Sequence, residues 1–286
     1  MQAVEHANAV GILKGIEDAM SFDPDWKNKL IATGSDGASV NIGKNHSVTA
    51  LLKKDVPQLI AMHCVNHRLE LSVLDALKKK NSDVFSKIKK VLHLLYNHYH
   101  RSPKALRELK SLAEAMQVKF LKPSKMNGTR WMPHLYRALT ILLKDENYKL
   151  YTTHFEDIVN EGTGGASSLG RAKKILKFLK SQKLMHYMHF LLDVLEVLSD
   201  LSLEFQHDEC SLPDVVKAFD HALTKMVGLR QRPGRHLDSF ITNTSEQLVF
   251  QGVKLIKSDL KMEKMVAKEN ALALSVIDHI SGNTNE

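Results

Sequence analysis

Asp36 closes a short apolar run in "LIATGSDGASVNIGKN" (residues 30–45) and opens a turn of small residues. An acid at the C-terminal end of a parallel strand sits where open α/β sheets place their chemistry. Phosphoryl transfer with Mg²⁺ or Mn²⁺ needs such carboxylates on rigid strands, because two ions are held ~3.5–4 Å apart. The same acid would also cap a following helix, with Gly37 relaxing the turn. Spacing alone favours the cap. A phosphate cradle is rejected: five residues separate Gly37 from Gly43-Lys44 where G-x-x-x-x-G-K-[ST] has four, and Asn45 replaces the magnesium-binding hydroxyl.

Two other spacings suit a metal. Cys64 and His67 are three apart, as two ligands on one helical turn would be, and His207 and Cys210 repeat the spacing in mirror image. The four would make a Cys₂His₂ zinc set. The pairs are far apart in the chain, however, and a buried structural Cys beside a hydrogen-bonded His is the default. Cations form the broader signal. "RAKKILKFLKSQK" carries no acid, and at 100° per residue Lys173, Lys177 and Lys180 share a face opposite Ile175, Leu176 and Leu179. "KKKNSDVFSKIKK" and "LRQRPGRH" are also cation-rich. A solvated face is the commoner meaning of such runs, and phosphate contact the alternative.

Composition supports a folded, basic protein. The 286 residues suffice for one large domain or two smaller ones, and 40 Lys+Arg against 32 Asp+Glu give a formal charge of +8. With 2 cysteines there is no disulfide framework, and a reducing compartment follows. No apolar run approaches a membrane span, and the first ten residues have no signal-peptide pattern.

The elements that must position these residues begin with a helix over 3–20. A strand over 30–33, a helix over 40–54 and a strand over 59–64 make a parallel βαβ unit. Helices dominate afterwards: 67–80 running into 84–100, 104–117, 134–144, 147–159, 169–181, 184–205 and 212–227. Pro123, Asn127, Gly128 and Pro133 mark a loop between two of them, and residues 245–280 carry a helical pattern.

"SDGASVNIGK", then "HCVNHRLEL", then "TRW" at 129–131 occur in an order that resembles the hAT superfamily of cut-and-paste DNA transposases, especially domesticated vertebrate copies often fused to zinc fingers. The resemblance covers roughly residues 3–181. It implies a ribonuclease-H-like core interrupted by a large helical insertion. Asp36 matches the second acid of that family's Asp–Asp–Glu triad, Cys64 and His67 its Cys-x-x-His pair, and Arg130 and Trp131 its Arg-Trp. The family's aromatic there stacks on a displaced base, while packing beside Pro133 is the bland alternative and the favoured one. Arg130 would meet a phosphate or cap a helix. The first acid of the triad belongs upstream of the opening helix, and nothing in 245–286 matches the block that bears the third. Glu246, Glu263 and Glu269 lie in Lys-interspersed sequence without its apolar surroundings.

The expectation is therefore a mostly α protein with a small α/β portion. Residues 1–80 form a partial ribonuclease-H-like core, and 81–286 form a helical insertion domain and tail. One acid cannot position two ions, so the chain is expected to be a truncated or domesticated, inactive remnant. It is expected to retain no Mg²⁺ or Mn²⁺, to bind DNA or chromatin in the nucleus, and not to enter membranes. The alternatives are a fragment of an active transposase, with its missing acids encoded on flanking exons, and a helical protein–protein scaffold.

Overall fold

A computed structural model describes residues 7–126, 131–144, 146–162, 165–207, 211–257 and 262–281, apart from the side chains of 79–82, 262, 263, 279 and 280. The chain divides into two compact units, Met1–Leu71 and Ser72–Glu286. It is mostly helical with a small strand content, as the hydrophobic periodicity predicts.

In the first unit, Asn8 caps α1 (Ala9–Ala19) by accepting from the Gly11 amide at 2.8 Å. A four-residue helix, α2 (Trp26–Lys29), then leads into β1 (Ala32–Ser35). The predicted helix over 40–54 is two pieces, α3 (Ser39–Ile42) and α4 (Val48–Asp55). Gly43 explains the break. The chain turns so sharply there that a Cβ would lie 2.5 Å from the Ser39 carbonyl oxygen. Ser47 then restarts the helix by capping the Ala50 amide. β2 (Ile60–His63) pairs with β1 in parallel, in register from Ala32 opposite Ile60 to Ser35 opposite His63.

Trp26, Val48, Leu52, Val56 and Leu59 form a small core against Ile12, Leu13 and Ile16 of α1. Lys27 clamps its rim, reaching Glu17 at 2.8 Å and Asp55 at 2.6 Å. The two-stranded sheet is less well covered, with Ile60 and Met62 each 55% exposed.

α5 (Val65–His100) is one continuous helix that begins in the first unit and continues into the second. The second unit adds α6 (Pro103–Ala115), α7 (Trp131–Leu143), α8 (Asn147–Glu161), α9 (Ala166–Leu179), α10 (Gln182–Glu204), α11 (Leu212–Gln231), α12 (Arg235–Thr242) and α13 (Met262–Ser281). α10 is its axis. It packs on α7, α9, α11, α12 and α13 and buries side chains all round, as a helix apolar on every face must.

Two expectations fail here. Pro133 does not interrupt α7, because it falls in the first turn, where a missing N–H costs nothing. Residues 245–280 are not one helix: β3 (Val249–Phe250) and β4 (Val253–Lys254) form a hairpin before α13. Gln251 and Gly252 both take positive φ (48° and 77°), the conformation of a two-residue hairpin turn. Phe250 then packs against Tyr148, His189 and Phe240. That tertiary packing outweighs the local helical pattern.

Candidate nucleic-acid interface

α9 sorts its residues by face. Ala172, Ile175 and Leu179 are buried, while Lys173, Lys174 and Lys177 are exposed. Beside them, Lys87 projects from α5 and Lys183 from the first turn of α10, and the five lysines line one cleft of about 550 Å³. Among the described residues no carboxylate lines it, although Asp83 pairs with Lys87 at 2.8 Å. The crowding has an electrostatic cost. Burial first, then the neighbouring Lys268 and Lys87, pull the Lys183 ammonium below the usual lysine range against a smaller opposing pull from Asp83. Contact with Lys90, which is not among the lining residues, does the same to Lys174. An anion seated among these amines would relieve that repulsion.

Lys180 is not part of this surface. It ends α9, is only a quarter exposed, and pairs with Glu156 on α8. Helical periodicity placed it with Lys173 and Lys177 because it sees a single helix, whereas the acid that neutralises Lys180 comes from another. Lys87 and Lys183 lie in two of the quoted cation-rich segments but were not singled out, because three helices must pack before they line one cleft.

Trp131 begins α7 and is half-buried, edge-on to Phe85 with ring centroids 6.3 Å apart. With Phe85, Lys89 and Met126 it lines a separate cavity of about 130 Å³. This placement favours packing over a stacking platform. Arg130 lies outside the described residues.

In the first unit, Asp36 follows β1, and its Oδ1 accepts from the Asn41 side chain at 2.8 Å and the Ala38 amide at 3.1 Å. Those bonds hold the carboxyl below the usual range, Asn41 contributing most, and His67 and His63 add a smaller pull. The acid thus braces the turn into α3, close to the capping role that spacing favoured. His63, which sequence reasoning passed over, ends β2 with its ring 5.7 Å from that of His67. A Cβ on Gly37 would come within 2.7 Å of the His63 ring. Cys64 is exposed and free, not the buried cysteine expected.

The remaining metal candidates fare differently. Cys210 lies outside the described residues. His207, the other half of the mirrored pair, lines the surface groove between α10 and α11. Among the described residues, the one His/Cys/Asp/Glu group close enough to share an ion is Asp193, Glu196 and His236, with ligand atoms within 4.8 Å of one another. Its carboxylates already have other work. Asp193 accepts from the His236 and Leu237 amides at 2.9 and 3.0 Å, capping α12 from α10. Glu196 takes the Arg235 guanidinium as a fork. The Glu residues of the C-terminal segment also depart from expectation. Glu269 is buried, 2.6 Å from the His186 Nε2, and Glu246 lies in the turn before β3 instead of in a helix.

No family model and no solved structure matches this chain. No helix among the described residues is long and apolar enough to cross a membrane.

Proposed function

We propose that the chain binds nucleic acid through the lysine-lined cleft. The observation that carries this is that Lys87, Lys173, Lys174, Lys177 and Lys183, from three helices, line one concavity with no carboxylate among its described lining residues. Amines held together at that cost are suited to phosphates, which replace repulsion by charge-assisted hydrogen bonds and release counterions. On the motif resemblance we further propose a transposase-derived protein acting in the nucleus. In this reading β1, β2 and Asp36 are half of a ribonuclease-H-like core, the helical body is its insertion domain, and catalysis is lost. Asp36 is spent on bracing a turn, which fits a retired acid better than one poised for metal.

The test is DNA binding as a function of salt. The Lys173→Gln/Lys177→Gln variant should weaken binding and flatten the log–log salt slope by about 0.7–0.9 for each phosphate that is no longer neutralised. Lys180→Gln should leave the slope unchanged, because its partner is Glu156. Equal slopes in all three proteins would remove the cleft from consideration. Cleavage of DNA that depends on Mg²⁺ or Mn²⁺ and disappears in Asp36→Ala would overturn the inactive assignment. A protein-binding role is the second reading. It is favoured by Leu203, Leu212 and Val216, which are 60%, 77% and 52% exposed near the α10–α11 connection.

A further inference from the structure

The lining of the cleft is apolar as well as cationic. Val84 from α5, Phe178 from α9 and Leu184 from α10 line it together with the lysines. Its volume of about 550 Å³ lies within the ~300–1,000 Å³ of concavities that enclose small organic groups. A pure phosphate site has no use for such apolar lining. Intact duplex keeps its bases stacked inside a convex sheath of phosphates, so it would meet the amines and leave the apolar side chains wet. A free polyphosphate has the charge but nothing apolar to cover Phe178. A single strand offers both, since an unstacked base lies within reach of its own flanking phosphates.

We infer that the cleft takes single-stranded nucleic acid, with one base seated against Phe178 and the adjoining phosphates on Lys173, Lys177 and Lys183. This rests on the nucleic-acid reading above and specifies its ligand. Phe178 is half-buried in α9, one residue beyond Lys177, so the aromatic ring and the amines are fixed by the same helix. Stacking is the role that the family resemblance implies for Trp131, for which packing was the favoured reading.

Fluorescence anisotropy on the full chain at one salt concentration separates the two levels of the proposal. Three labelled probes of matched phosphate number suffice: an oligothymidine, an abasic oligomer and a duplex. The oligothymidine should bind about ten-fold tighter than the abasic strand, the margin one stacked base provides. It should also bind tighter than the duplex. Phe178→Leu, checked for folding by circular dichroism, should lose the base-dependent margin and keep abasic binding. The Lys173→Gln/Lys177→Gln variant should weaken all three probes. Equal affinity for thymidine and abasic strands, tighter duplex binding, or displacement by inorganic tripolyphosphate at equal phosphate concentration would overturn the single-strand inference. Those results would leave a phosphate site standing. Unchanged binding of every probe to the lysine variant would overturn the nucleic-acid reading itself. The comparison of probes on the unaltered protein requires no variant to fold.

Discussion

Gly234 has no room for a side chain: a Cβ there would put the Asp193 Oδ1 2.6 Å away. That carboxylate cannot step aside, because both oxygens are tied to α12 amides and the residue is only 3% exposed. Gly234→Ala is therefore expected to destabilise the protein by about 2 kcal/mol, and Asp193→Ala by a similar amount, since buried donors left unpaired cost ~1–3 kcal/mol. Because both changes break the same cap, the double variant should be little less stable than either single one. Chemical denaturation of the four proteins checks this, and additive effects would refute the shared cap. Nothing in "RPGRHLD" announces that its cap is an acid forty-odd residues upstream. The same limit hid the grouping of Lys87 and Lys183 with Lys173 and Lys177, which comes only through packing. By contrast, Asp36 was legible because its partners, Ala38 and Asn41, are its neighbours in sequence.

Hydrophobic patterning reported the long helices faithfully, because α10 is an apolar run too long for a strand and α11 repeats its apolar positions over many turns. It failed on short pieces. At β3–β4 a pair of positive-φ residues and the burial of Phe250 decide the structure, and neither has a period. The strands β1 and β2 were legible as apolar runs between turn signals, yet they form the least covered element pair. Each has one strand partner in the described structure, and their apolar side chains Ile60 and Met62 are exposed. Amides in this sheet should exchange with solvent roughly two orders of magnitude faster than those of α10, since little buried surface must be exposed to open it. Hydrogen exchange read by mass spectrometry settles the point. Equal protection over 60–63 and 184–201 would mean that the sheet is held by more than its hydrogen bonds.

Across the whole molecule, charge and acidity act in opposite places. The surface carries the excess of cations, whereas several histidines are buried where cations are costly. Burial depresses His98 and His189 to about 4, and it lowers His154 against the opposing pull of Glu108. In the unfolded chain such groups titrate near 6.5. Between those values the unfolded state binds protons that the native state refuses, so stability is full above pH ~6.5 and is lost as the pH falls toward 4. Each fully displaced histidine contributes at most about 3 kcal/mol. Asp193 acts in the opposite sense, because burial pushes its carboxyl up. The melting temperature should therefore fall steadily from pH 7 to pH 4.5. His98→Leu should flatten that fall, and an unchanged profile in the variant would count against a neutral buried imidazole.

The cap that Asp193 lends to α12 also has a temporal meaning. An eight-residue helix is too short to persist on its own in water, and α12 has no side-chain cap of its own. Its first amides acquire an acceptor only when α10 has formed and the intervening chain, including α11, has come back upon it. Closing a loop of that length carries an entropic toll that local structure alone does not repay. α12 thus belongs among the last elements to lock in, and a mutation at the cap should speed unfolding while leaving the rate of folding nearly untouched.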